Sequence, residues 1–452
     1  MQQQKMRIPT LDEIFSNWEA TGLKKKIIFT FLVIVLFRLG AQIPLFGINN
    51  AVFANLAAGN NIIGFLDMFS GGALGAVSIF ALGIGPYITA SIIIQLLTAI
   101  VPHLEALQKE EGEAGRRKIS QYTRVFTVFL AIFQASIFVI YLHKLPGSIL
   151  AGTNPVLFAM GSIMALTAGA VLVMWLAELI TERGIGNGGS MLIFVGIIAG
   201  IPLYWDRTAT LVANNGAMQF ALLVMLAFFF VAIIMIIVMQ DAIRKVVIVT
   251  PKRQVGNKVY GGGSTYIPFK LNPAGVMPII FAIAILLFPQ TILSVLGNAN
   301  IPIPYIKDAI MFVNNTLLNP AKVPYYLIYF SLIFLLTFFY ASIMPNMQPK
   351  DIANNLKKSG SSIPGIKPGK PTAEALDKII SKITFIGATG LGIIAMIPNI
   401  ASGVTGITTL QGIGSTSLII MVGVALDLVN QIRTHALTQQ YEGFLKKWWK
   451  QR

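Results

Sequence analysis

From Ile27 onward the chain keeps returning to apolar runs of bilayer length, with few ionisable residues inside them and polar loops between. A crossing helix needs roughly 20 apolar residues, with tilt accommodating longer or shorter runs. Such runs fall at 27–43, 77–101, 121–142, 155–179, 191–203, 217–239, 273–288, 325–344, 384–398 and 414–429. In hydrocarbon each backbone N–H and C=O must be paired within the segment, so uninterrupted runs of this kind fold as helices. Composition agrees: 55% of residues are hydrophobic and only 12% charged, where soluble domains carry about 25% charged residues. The fold class expected is an all-α membrane protein of ten transmembrane helices.

One stretch breaks the pattern. Residues 65–97, FLDMFSGGALGAVSIFALGIGPYITASIIIQLL, are apolar, yet they carry glycine where a lipid-facing helix would carry Leu or Val. Ser70, Gly71, Gly72, Gly75 and Ala76 strip side chains from one short segment, and Gly83, Gly85 and Pro86 loosen the run that follows. Irregular backbone at membrane depth survives only inside protein or beside a water-filled cavity. The segment therefore reads as half-inserted and lining something, with the other spans as the wall around it.

Orientation follows from the 34 Lys and Arg, set against 18 Asp and Glu. All but Arg38, Lys144, Arg207, Lys307 and Lys322 fall in segments on the side of the N-terminus. The positive-inside rule then puts both termini in the cytoplasm. No cleavable leader is expected, because the N-terminus is polar and no small-residue cleavage site follows the first apolar run. A polar segment at 1–26, with an amphipathic pattern at Leu11, Ile14, Phe15 and Trp18, would lie on the cytosolic face. Ten spans divide into halves of five at 27–213 and 214–435, with cytosolic loops at 241–270 and 346–382 and a tail at 436–452. An odd number per half makes the halves inverted, which places a working site between them at mid-membrane.

The chain has no cysteine and three scattered His, which excludes disulfides and thiolate chemistry and argues against a His-rich metal site. Almost no ionisable residues lie inside the spans: with Arg124 counted in the loop before its span, Arg38, Glu178 and Asp427 remain, each near an end, where snorkelling or local pairing such as Glu178 with Arg183 accounts for them. A proton-driven solute transporter would want an acid or His at mid-depth, and a membrane enzyme would want a Ser–His pair, HExxH or paired carboxylates. Neither pattern is present, and a pure scaffold gives the glycine-broken segment no purpose. Ile84, Ile88 and Ile92 share one helical face. Alone, such a stripe more often marks packing or lipid contact; beside Gly83, Gly85 and Pro86 it gains weight, because small residues admit neighbouring spans. The two long loops are basic and contain turn sequences (GGGSTY, IPGIKPGK), so they read as projecting, folded elements. Their charge suits the positive-inside signal, anionic lipid, RNA phosphate or an acidic partner protein.

At this point the sequence resembles a known family. SIFALGIGPYITASIIIQLL, GEAGRRKISQYTR, TERGIGNGGS, KRQVGNKVYGGGSTYIPFKLN, NNLKKSG with IPGIKPG, and YEGFLKK are similar to the SecY family, from the first span to the tail with spacing intact. The resemblance implies a channel, not an enzyme and without cofactor or metal. It would pass unfolded secretory polypeptides across the bacterial plasma membrane and release hydrophobic segments sideways into the lipid bilayer. Implied partners are the small membrane subunits SecE and SecG, the SecA ATPase, the ribosome with its nascent chain, and signal peptides.

Matched motif to motif, the resemblance implies a mid-membrane apolar ring of Ile84, Ile88, Gly189, Ile193, Ile280 and Ile420. Relatives commonly carry Ile where this chain has Gly189, a gap that a neighbour such as Met191 could fill. A short re-entrant plug helix is implied at about 66–76: Leu66, Phe69, Ser70, Gly71, Gly72, Ala73, Leu74, Gly75 and Ala76. A lateral gate is implied between the second and third spans and the seventh and eighth, with Thr89, Gln134 and Asn272 as its polar cluster. Partner-binding positions are Lys252, Arg253 and Lys258 in one loop, and Lys357, Lys358 and Lys367 in the other. Relatives usually carry Arg at Lys367, and Lys keeps the charge without the bidentate fork. The physical logic fits: a lining for many sequences wants branched aliphatic side chains that dewet when closed, and no fixed charge.

Overall fold

In a computed structural model, residues 22–49, 67, 70–109, 111–144, 147–150, 154–213, 216–251, 253–255, 258–260, 262–297, 308, 312–317, 322–344, 347–407 and 415–450 are described. The chain is mostly helical and groups into two units, 1–210 with 420–452, and 211–419. Among the described residues seven helices are long and apolar enough to cross a bilayer, or eight if one sharply bent pair is a single span.

The first unit contains α1 (Leu23–Gly40), α2 (Gly85–Ile100), α3 (Pro102–Lys109), α4 (Gly112–Lys144), α5 (Pro155–Arg183), α6 (Gly188–Ala213) and, from residue 420, most of α12 (Ser415–Lys450). α5 packs along α4 and α1, and α4 along α2. Local chemistry sets the helix ends. Asn154 caps α5 by accepting from the Val156 N–H at 3.1 Å, with Pro155 in the first turn, where a missing N–H costs nothing. α2 stops at Val101, which is extended (φ −92°, ψ 113°) as a residue before proline prefers, and α3 leaves at 102°.

The second apolar run differs from its expected bounds. Its helix begins at Gly85, not near residue 77, and residues 70–84 form consecutive turns. The expected plug helix is likewise, over 70–76, a string of turns, and Leu66 and Phe69 lie outside the described residues. The turns are nonetheless anchored: Leu45 N–H donates to Val77 O at 2.9 Å and Ile79 N–H to Ile43 O at 3.0 Å, a short antiparallel pairing with the chain leaving α1. Leu45, Ile48, Leu74, Val77 and Ala81 then form one buried cluster with Ala135, Val139 and Leu142 of α4 and Phe158 and Leu166 of α5. Gly169 of α5 makes this possible, because a Cβ there would sit 2.0 Å from the Ile79 carbonyl oxygen.

The second unit is built around α11 (Lys370–Thr405), a 36-residue helix that begins well before the apolar run it carries. α7 (Gly216–Asp241) and α9 (Val323–Ile343) pack along it, and α8 (Met277–Gly297) packs on α9. Small residues on α11 admit its neighbours: a Cβ at Gly387 would lie 2.2 Å from Leu271 O, and one at Gly392 2.4 Å from the Phe330 ring.

The two long loops are folded, as their turn sequences suggest. Strands β1 (Ile243–Thr250) and β4 (Gly263–Lys270) pair antiparallel from Ile243↔Lys270 to Thr250↔Gly263, and β2 (Arg253–Val255) pairs with β3 (Lys258–Tyr260) beyond them. The second loop forms α10 (Pro349–Ser359), which starts with Pro349 and Asp351 and ends with Lys357, Lys358 and a left-handed Gly360 (φ 70°), as the helix dipole and C-cap favour. Val249 and Ser362 exchange backbone bonds, and Val246, Phe269, Met347, Ile363, Leu376, Ile380 and Ile383 share one core. The two loops thus fold against each other and against the first turns of α11.

Candidate functional site

The residues expected to line a passage are placed as follows. Ile84 immediately precedes α2, Ile88 lies one turn inside it, and Gly189 and Ile193 lie in the first turns of α6. Ile84 and Ile193 are buried, Ile88 is partly so, and a Cβ at Gly189 would rest 3.5 Å from the Ile84 Cδ1. Those two positions are therefore neighbours, and Ile84 stands over the space where relatives were expected to carry Ile. Ile280 on α8 and Ile420 on α12 are also buried.

Over its described part, the glycine-broken segment is a self-braced knot. The Asp67 carboxylate Oδ1 accepts from the Gly75 N–H at 2.5 Å, and its carbonyl accepts from Gly72 N–H and Ser70 Oγ, both at 2.8 Å. Ser70 Oγ in turn accepts from Leu74 N–H at 2.9 Å. Gly71 has φ 71°, open to glycine at little cost, and a Cβ there would lie 3.1 Å from the Gly196 Cα of α6. Arg38, in the last turn of α1, donates from Nη1 to the Gly71 carbonyl. Val77, which is β-branched and fully buried, closes the knot with φ 43°, a conformation such residues rarely adopt.

Sequence reading missed Asp67, which was not counted among the ionisable residues, and gave Arg38 no partner beyond snorkelling. The signal for Asp67 was available: an Asp three residues before a Ser, in an apolar run, is the pattern of side chains that brace a local turn. Glu178 is also corrected. It accepts from Arg124 Nε of α4 at 2.9 Å rather than pairing with Arg183, tying α5 to α4.

The TERGIGNGGS turn between α5 and α6 shows what its glycines do. Ile185 N–H donates to Thr30 Oγ1 of α1 (3.1 Å), Gly186 N–H to Gln431 Oε1 of α12 (2.9 Å) and Gly188 N–H to Thr181 Oγ1 of α5 (2.8 Å). Leu23, Ile27, Ile185, Leu428 and Ile432 pack around it. Three helices are pinned through one exposed-looking loop.

Of the expected gate residues, Thr89 on α2 donates to Gly85 O of its own helix at 3.0 Å, and Gln134 sits partly buried on α4 without bonding to Thr89. Asn272, ahead of α8, donates from Nδ2 to Gly275 O at 2.8 Å, and its buried Oδ1 has no partner among the described residues. Lys357 and Lys358 at the end of α10 and Lys367 in the following turn are exposed. Arg253 and Lys258 lie on β2 and β3, and Lys252 lies outside the described residues. Among the described residues no three His, Asp or Glu converge to hold a metal ion.

Seven long apolar helices among the described residues, with a tightly braced, glycine-rich turn between two of them, define a multi-pass membrane protein. A solved protein-conducting channel superimposes with a TM-score of 0.64 at 17% identity, covering 91% of this chain and 92% of its own. Sec61 in a canine ribosome–channel complex from the endoplasmic reticulum superimposes with a TM-score of 0.61 at 16% identity, covering 91% and 92%. In sequence, the SecY family model matches residues 78–429, and the protein translocase subunit SecY of Synechococcus elongatus is 43% identical over 452 residues, 97% of this chain and 98% of the relative. The chain belongs to the SecY family.

Proposed function

We propose that this chain forms the conducting path of a protein translocase in a bacterial plasma membrane. Its SecY membership makes it a protein-translocating channel subunit; the finer reading concerns which residues do the work. The observation that carries it is the presence in one chain of a buried, charge-free aliphatic set and a self-braced knot of turns. Ile84, Ile193, Ile280 and Ile420 are buried on different segments, and the described part of the plug is helical at Asp67 and a run of turns over 70–76. In this reading Ile84, Ile88, Gly189, Ile193, Ile280 and Ile420 are the ring, a gasket that dewets at rest and yields to a chain. Residues 66–76, with turns over 70–76, are the plug. Thr89, Gln134 and Asn272 are assigned to the lateral gate, and the buried Asn272 Oδ1, without a partner among the described residues, supports that role, since a buried acceptor seeks a donor.

Ten spans are reached by adding α1, α2 and α8 to the seven long apolar helices. α1 has 18 residues with four basic ones, and α2 has 16 residues; short spans with flanking bases are accommodated by snorkelling and local thinning. The charge asymmetry of the loops supports cytoplasmic termini. Lys252, Arg253 and Lys258 in one loop and the exposed Lys357, Lys358 and Lys367 in the other are the partner-binding positions, with a charge suited to ribosomal RNA phosphate or to an ATPase such as SecA. The ribosome-bound Sec61 neighbour favours the first, and SecE and SecG would complete the membrane complex. The test is a secretory polypeptide stalled in transit in proteoliposomes, with single cysteines at Ile84, Ile193 or Ile280 and along the substrate. Crosslinks at all three positions are expected, and crosslinks confined to the basic loops would overturn the ring.

A further inference from the structure

We infer that Arg38 is the latch that holds the plug. This rests on the plug reading above and adds the group that fixes its resting position. In the described part of the knot, residue 67 and residues 70–76, Asp67, Ser70, Gly72, Leu74 and Gly75 bond to one another. Beside the apolar contacts of Leu74 and Val77 and the attraction of Arg207 on α6 for Asp67, the direct hydrogen bond it receives from a spanning helix among the described residues is that of the Arg38 guanidinium on the Gly71 carbonyl. Gly71 has no side chain, and one there would be tightly packed and strained at φ 71°. A Cβ there would lie 3.0 Å from Arg38 Nη1 and 3.1 Å from the Gly196 Cα, so the carbonyl is delivered to the guanidinium at close backbone approach.

The choice of a charged donor on a neutral backbone acceptor suits a contact that must break and reform. An Arg–carboxylate pair at this depth would be harder to separate, whereas a carbonyl can be replaced at the guanidinium by the carbonyls of any polypeptide that enters, whatever its sequence. Arg38 is thus a positioning residue: it sets how often the plug leaves, without selecting the substrate. Its place in the last turn of α1, where a cation complements the helix dipole, keeps the charge stable when the contact is broken.

The test uses the full channel complex in planar bilayers, with the substitution Arg38→Gln. A hydrogen bond to a charged group shifts such an equilibrium by about ten- to a hundredfold, so the resting ion leak is expected to rise at least about tenfold, and Arg38→Lys is expected to restore most of the seal. A second readout is a single cysteine at Ala73, buried in the knot of a chain that has no other cysteine. A membrane-impermeant maleimide is expected to label it faster in the Arg38→Gln background. Deletion of 70–76 separates the two readings. A leak from the deletion with none from Arg38→Gln, and unchanged labelling, overturns the latch alone. No leak from the deletion overturns the plug, and the latch with it.

Discussion

Gly188 offers the sharpest test of how the first unit is held together. It opens α6 directly beneath α5, and a Cβ built on it would lie 1.8 Å from the Ala177 carbonyl oxygen and 2.6 Å from the carbonyl carbon. Ordinary contacts are about 3.5 Å, so Gly188→Ala forces the turn away by roughly 1.7 Å. The obstacle is backbone and cannot rotate aside. Moving the turn stretches the bonds from Ile185, Gly186 and Gly188 N–H to Thr30, Gln431 and Thr181, which are 3.1, 2.9 and 2.8 Å long. Overpacking alone costs about 1–3 kcal/mol, and each amide left without an acceptor costs a further 1–3 kcal/mol or so. A loss of about 3 kcal/mol is expected, or roughly 3 °C in the thermal unfolding of purified protein in detergent at a fixed scan rate. Gly161 on α5 is the control, because a Cβ there meets nothing within 4 Å. Gly161→Ala is expected to be neutral or to stabilise by up to about 1 kcal/mol. If the two variants melt together, the turn does not pin α1, α5 and α12, and the reasoning fails.

Two further outcomes follow from the same geometry. Glu178 is mostly buried and Arg124 is nearly half exposed (side-chain exposures 15% and 44%). Arg124→Ala is therefore expected to destabilise by about 1–3 kcal/mol by stranding the acid, and adding Glu178→Gln to recover much of that loss; equal melting of the single and double variants would sink the pairing. Gly189→Ile would set a branched side chain against Ile84, whose Cδ1 is 3.5 Å from the new Cβ. In a channel lacking 70–76, the ion leak is expected to fall, and an unchanged leak would remove position 189 from the ring.

What the sequence by itself determined was set by local chemistry and by length. Apolar runs made helices because hydrocarbon leaves the backbone no other partner, Pro and Gly marked the ends of α5 and α10, and the basic loops announced folded elements through their turn residues. The motifs carried the family, and with it the positions expected to line the path. Tertiary structure alone decided the rest. That residues 70–84 would be turns depended on Ile43 and Leu45 being at hand to pair with them. That Glu178 would choose Arg124 over the nearby Arg183 depended on α4 lying alongside α5. Arg38 meets Gly71 across 33 residues, Thr30 meets Ile185 across 155, and Gly186 meets Gln431 across 245. Hydrophobic length is a property of a segment and is readable from it. A hydrogen bond is directional and short-ranged, so its partner is fixed only once distant helices have packed.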